Sequence, residues 1–85
     1  MSEIVVYSSR YCPYCLRAKS VLASKGVSFT EIDVDDDPKK RAEMTQRSGG
    51  RRTVPQIFID DRHIGGCDDL LALEYEGTLE SLLGL

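Results

Sequence analysis

The sequence has no tryptophan, one histidine, three prolines and only three cysteines. It also lacks any apolar run near the roughly 18 residues that a membrane-crossing helix needs. Its first residues, MSEIVVYSS, have neither the basic nor the apolar region of a secretory leader, so the reading is a cytosolic protein. Three cysteines are too few, and of the wrong parity, for a disulfide scaffold, which leaves redox or metal chemistry as the better expectation. A surplus of positive charge is missing as well. Eleven basic against fourteen acidic side chains leave a net charge of −3, which argues against nucleic-acid and anionic-membrane partners. The imbalance is local: residues 1–52 hold ten basic and seven acidic groups, whereas residues 53–85 hold only Arg62 against seven acids.

What is present is an ordinary folded-protein composition, 41% hydrophobic and 29% charged. Eighty-five residues leave room for one domain, read here as residues 1–85. Glu3 to Tyr7 is a β-branched run that Ser8, Ser9 and Arg10 end: a strand, then a loop. Cys12-Pro13 opens a helix, since proline suits a first helical position, and Gly26 stops it. Along it Cys15, Ala18, Val21 and Leu22 recur at helical spacing. Val27 to Val34 alternates as a second strand. Asp35-Asp36-Asp37-Pro38 starts a second helix that runs to about Arg47, ended by Ser48-Gly49-Gly50. Gln56 to Ile59, the Asp60-Asp61 turn and Arg62-His63-Ile64 read as a hairpin. Cys67-Asp68-Asp69 leads into a helix carrying Leu70, Leu71, Leu73 and Tyr75, and Thr78 starts a last short one with Leu79, Leu82 and Leu83. The expected order is β-α-β-α-β-β-α-α, an α/β sheet with a βαβ unit first and a hairpin last.

Cys12-Pro13-Tyr14-Cys15 sits where the first strand hands over to the first helix. A sulfur at the N-cap faces the free N–H groups of Tyr14 and Cys15 and the positive end of the helix dipole. Both stabilise a thiolate, and Arg10 adds a nearby cation. Cys15, one turn on, is near enough to close a disulfide and is better shielded. One exposed and one resolving sulfur make a pair suited to dithiol–disulfide exchange.

Together, Cys12-Pro13-Tyr14-Cys15, Thr53-Val54-Pro55 and Gly65-Gly66-Cys67-Asp68-Asp69-Leu70 resemble the glutaredoxin family, in its small dithiol branch, over essentially the whole chain. Thioredoxins share the core fold, but they usually carry Gly-Pro between the cysteines and a preceding Trp. The resemblance implies a thioredoxin-like fold, a four-stranded mixed sheet flanked by helices. It implies a glutathione-dependent oxidoreductase that uses Cys12 and Cys15. Glutathione would be a co-substrate, no cofactor would be held permanently, and the partners would be protein disulfides and glutathionylated proteins met by a monomer.

The remaining assignments weigh that resemblance against plainer readings. Pro55 alone is a strand-entry residue; the resemblance makes Val54-Pro55 a cis bond that presents the Val54 backbone beside Cys12. Gly65-Gly66 allows close backbone approach, and the helix start offers N–H groups to an anion. The resemblance gives the backbone at Gly66 and the Cys67 and Asp68 N–H groups to the γ-glutamyl carboxylate, and the Asp68 carboxylate to its ammonium. The residues alone suit N-capping by Asp68 or Asp69. Tyr14 is a surface aromatic that in the family flanks the glutathione sulfur. Arg41 and Arg52, otherwise a solvated helix face and loop, match positions that meet the glycyl carboxylate. Two departures bear on that contact. Ser9 stands where the family usually has Lys, and the Gly49-Gly50-Arg51-Arg52 run before Thr53 is one residue longer than in close relatives. Cys67 reads as a packing thiol and His63 as a surface or edge residue.

Two other classes fit parts of the pattern. Cys12, Cys15, His63 and Cys67 have the ligand types of a structural zinc site. An iron–sulfur carrier would share a cluster between two chains through Cys12 and glutathione, although such relatives typically follow the active cysteine with Gly-Phe-Ser.

Overall fold

The computed structural model describes residues 3–85. Strand β1 (Ile4–Ser8) leads into helix α1 (Pro13–Ser24), then β2 (Thr30–Asp33) and α2 (Pro38–Arg47). Strands β3 (Gln56–Ile59) and β4 (Arg62–Gly65) form the hairpin, and α3 (Cys67–Glu76) and α4 (Leu79–Leu82) close the chain. The element order is the expected one. The sheet order is β2-β1-β3-β4, with β1 parallel to β2 and antiparallel to β3, and β4 antiparallel to β3. This is the mixed four-stranded sheet of the thioredoxin-like fold.

Alternation along the central strands sends side chains to two cores. Ile4, Val6, Ile57 and Ile59 pack with Ala18 and Leu22 of α1, Cys67 and Leu70 of α3 and Leu79 of α4. On the other face Tyr7 and Phe58 pack with Val34 and with Met44 of α2. All four residues of β3 are buried, as a strand flanked on both edges and covered on both faces requires. The second strand is shorter than the Val27–Val34 run suggests: its register with β1 at the sheet edge runs over Thr30–Asp33, and the Val34 N–H adds one bond to the Ser8 carbonyl at 2.9 Å.

Local chemistry sets the boundaries. Pro13 and Pro38 open α1 and α2 behind the N-caps Cys12 and Asp37, and the Asp37 carboxylate accepts the Lys40 N–H at 3.1 Å. Asp60 and Asp61 both take positive φ (52° and 65°), the conformation a two-residue hairpin turn demands. Ile59 pairs with Arg62 and Phe58 with His63, but Ile57 pairs with Gly65, so β4 holds one extra residue, a β-bulge.

Candidate active site

Three chain segments meet at one end of the sheet: the start of α1, the approach to β3 and the start of α3. Cys12 has extended backbone (φ −121°, ψ 105°), and its Sγ accepts the Cys15 N–H at 3.1 Å. Of the two amides expected to face the sulfur, that of Cys15 makes this contact. The Cys12 thiol lies 3.7 Å from the Val54 carbonyl oxygen, to which it donates, and Cys12 is half-buried. Cys15 is fully buried. Burial, then a hydrogen bond to Cys12, pushes its thiol up to about 12. All three cysteines are free thiols, so the pair is in its reduced form.

Beside this pair lies a cleft of about 260 Å³ lined by Tyr14, Arg51, Thr53, Val54, Pro55, Gly66, Cys67, Asp68 and Asp69. The Val54-Pro55 bond is cis. Seven residues singled out in the sequence as glutathione contacts therefore share one cleft next to Cys12. The Asp68 carboxylate is exposed at its rim, while Asp69 does the capping: its Oδ2 accepts the Gly66 N–H at 2.8 Å and meets Arg51 Nη1 at 3.2 Å. Those two donors, the backbone one first, hold Asp69 below the usual carboxylate range. The arrangement depends on Gly65, which has φ +120° and where an added Cβ would sit 2.2 Å from Asp69 Oδ2.

Arg41 and Arg52 are placed elsewhere. They line a separate cavity with Pro38, Ala42, Thr45 and Gln46, and Arg41 Nη1 donates to the Arg52 carbonyl at 3.0 Å. The cation on the cleft wall is Arg51, which the sequence reading passed over. Arg10 is turned to acids: its Nη2 lies 2.7 Å from Asp36, and its N–H donates to Asp35 at 2.9 Å. Cys67 is buried in the core, and burial pushes its thiol up. His63 lies on the edge strand β4, as the edge reading expects, but it is part-buried and bonded to Gln56, and among the described residues no group of three ligand-type side chains could hold a metal ion. The four zinc candidates are thus not gathered into a site.

The arrangement offers an accessible sulfur, a shielded second thiol one turn away and a cleft with backbone N–H groups, a carboxylate and a guanidinium. Comparison with known proteins points the same way. The glutaredoxin family model matches residues 4–64. Over 83 residues the chain is 58% identical to glutaredoxin 3 of Escherichia coli (strain K12), covering 98% of this chain and 99% of that one. A glutaredoxin of Pseudomonas aeruginosa is 52% identical over 83 residues, covering 98% of each. Among solved structures, the crystal structure of a buckwheat glutaredoxin–glutathione complex superposes with a TM-score of 0.88 at 35% identity, covering 98% of this chain and 77% of that one. The solution structure of a glutaredoxin from Brucella melitensis gives 0.84 at 58% identity, over 95% and 87%. With the dithiol, the cleft and the fold in agreement with these relatives, the chain belongs to the glutaredoxin family.

Proposed function

We propose that this glutathione-dependent thiol–disulfide oxidoreductase works through Cys12 as nucleophile and Cys15 as resolving thiol, with glutathione seated in the adjoining cleft. The observation that carries the residue roles is the contrast between the two sulfurs. Cys12 is reachable from solvent and sits at the positive end of α1, whereas Cys15 is fully buried and its thiol is held protonated.

The Cys12 thiolate attacks one sulfur of a protein disulfide or of a protein–glutathione mixed disulfide. A new S–S bond forms, the old one breaks, and the leaving thiolate takes a proton from solvent. Two of the causes that hold Cys15 protonated, the hydrogen bond to Cys12 and the Cys12 charge, disappear once Cys12 is in a mixed disulfide. Cys15 then loses its proton more readily and displaces the protein thiol. One glutathione opens the Cys12–Cys15 disulfide and stays on Cys12, and a second releases it as oxidised glutathione. The substrate disulfide gains two electrons and two glutathiones lose them.

In the cleft the Cys67 and Asp68 N–H groups at the start of α3 face the γ-glutamyl carboxylate, the Asp68 carboxylate pairs with its ammonium, and Val54 offers its backbone. Thr53 and Pro55 shape the wall, and Tyr14 borders the sulfur. In this reading the protein is a single-domain cytoplasmic monomer that needs no permanently bound cofactor. Its partners are glutathione, glutathionylated proteins and protein disulfides. Tyr11, Tyr14 and Leu16, exposed at 93%, 63% and 60%, give a partner protein an apolar surface around Cys12.

The test is an assay on a glutathione mixed disulfide and on a protein disulfide, with a thioredoxin reductase control. Turnover should require glutathione. Cys15→Ser should retain reduction of the glutathione mixed disulfide and lose most reduction of the protein disulfide. Loss of both activities together would remove the division of roles.

A further inference from the structure

Thr53 and Val54 precede β3 and lie outside its ladder, yet the Val54 backbone must stay fixed beside Cys12 for the cleft to keep its shape. A side chain behind the cleft supplies the anchor. Gln56, the first residue of β3, is fully buried. Its Nε2 donates to the Thr53 carbonyl at 3.0 Å and to Thr53 Oγ1 at 3.2 Å. Its Oε1 lies 2.7 Å from His63 Nε2 on β4.

These partners fix the direction of every bond. The Thr53 carbonyl can only accept, so the amide nitrogen of Gln56 has to face it, which leaves Oε1 toward His63. That oxygen can only accept in turn, so His63 Nε2 carries a proton and donates. The imidazole is braced by the Phe58 ring at 5.0 Å, and the Arg47 guanidinium lies over the same ring at 4.1 Å. The relay therefore runs one way, from His63 through Gln56 to Thr53.

We propose that Gln56 is a positioning residue for glutathione docking: its carboxamide, oriented by His63, holds the Thr53 peptide and Oγ1 and thereby sets the Val54 backbone against Cys12. The proposal rests on the reading of the cleft as the glutathione site. Charged groups that bear on His63 are Arg51 and Asp69 at the cleft and Arg47 across Phe58. Both the neutral Nε2–H tautomer and the imidazolium donate to Gln56, so the relay survives titration of His63.

The experiment measures kcat and KM for a glutathione–peptide mixed disulfide, with circular dichroism as the check on folding. Gln56→Met keeps the side-chain length without the hydrogen bonds. It should raise KM about tenfold, the effect of stranding a buried carbonyl, with kcat within about twofold and the rate of Cys12 alkylation unchanged. Gln56→Glu places a carboxylate against the Thr53 carbonyl. Its KM, relative to wild type, should fall as acid protonates that carboxylate and restores a donor, a profile that a space-filling role would not produce. Should either Gln56 variant fail to fold, the His63 pair decides: His63→Leu should raise KM about threefold, and His63→Gln, which can still donate to Gln56, should stay near wild type. Asp68→Asn serves as the control on the cleft itself. A raised KM for Asp68→Asn with wild-type KM for folded Gln56→Met, or for His63→Leu, would overturn the relay and leave the cleft standing. Wild-type KM for Asp68→Asn would remove the cleft reading. Loss of kcat at unchanged KM in Gln56→Met would also overturn the proposal, since it would assign Gln56 to the chemical step.

Discussion

The Asp69 carboxylate reaches back across the first turn of α3 to accept the Gly66 N–H at 2.8 Å. That one bond ties the helix to the glycine pair before it, and Arg51 leans on the same oxygen from the cleft wall. Because the carboxylate is held below its ordinary range, it stabilises the fold above the unfolded-state value of about 3.9 and loses that contribution as pH falls through the folded-state value. Asp69→Asn should therefore melt below wild type at neutral pH, and the difference in Tm should close as the pH drops below the carboxylate range. A difference that stayed constant in acid would mean the charge contributes nothing.

Gly65→Ala should be worse than a typical surface change. The new Cβ would meet Asp69 Oδ2 at 2.2 Å and force an L side chain into positive φ. Either the cap or the backbone has to give, at a cost of about 1–3 kcal/mol. A lower Tm with a raised KM for glutathione mixed disulfide is the expected pair of results.

Only one thiol of the reduced native protein should react with iodoacetamide at pH 7–8, since Cys15 and Cys67 are both buried and both pushed up. Intact-protein mass spectrometry should find a single adduct on Cys12, and three after denaturation. Cys15 adds a second consequence. A thiol raised to about 12 in the fold keeps its full stabilisation below the unfolded value of about 8.5 and loses it as pH rises toward the folded one. The reduced protein should therefore lose stability in alkali more steeply than Cys15→Ala does.

Arg51→Ala should raise the glutathione KM a few-fold, the effect of an exposed ion pair worth about 0.2–1 kcal/mol, and the change should shrink in high salt. The double change Arg41→Ala with Arg52→Ala, at the separate cavity, should leave KM near wild type. The reverse pattern in steady-state kinetics would move the glycyl carboxylate to the α2 side.

Tyr7 is buried, donates to Glu43 Oε2 at 2.5 Å and accepts from Arg47 Nη1 at 2.8 Å, which fastens α2 to β1. Tyr7→Phe should destabilise the protein by about 1 kcal/mol in denaturant unfolding, with kinetics unchanged. An activity loss without a stability loss would contradict this structural role.

The sequence made the helix starts legible because Cys12-Pro13 and Asp37-Pro38 are local signals whose caps and prolines act within one turn. Thr53-Val54-Pro55 and Gly65-Gly66 were legible only jointly with them, through resemblance. Which arginine lines the cleft and which aspartate caps α3 were not. Arg51 rather than Arg52 lines it because Gly49 and Gly50 turn the chain at φ 72° and 103°, a path that the rest of the fold selects. Asp69 rather than Asp68 caps α3 because only the third position from Gly66 can fold back on it. Gln56 and His63 carried no signal as a pair, since seven residues separate them and their bond exists only after the hairpin closes.

The extra residue in β4 uncouples the length of the hairpin from the facing of the residues that follow it. A strand alternates sides at every step, so the count of residues between two positions decides whether they look the same way. Between the Phe58–His63 and Ile57–Gly65 pairs that count goes up by one on β4, and α3 starts two residues later. The bulge takes up that extra residue, so Gly65 keeps Ile57 as its partner, and a ladder without the extra residue would hold the same pairing and the same facing. The loop at Gly49–Arg52 belongs to no ladder and has no parity to keep. A change of one residue in length is thus absorbed on either side of the cleft, by the unpaired loop on the Arg51 side and by the bulge on the Gly66 side.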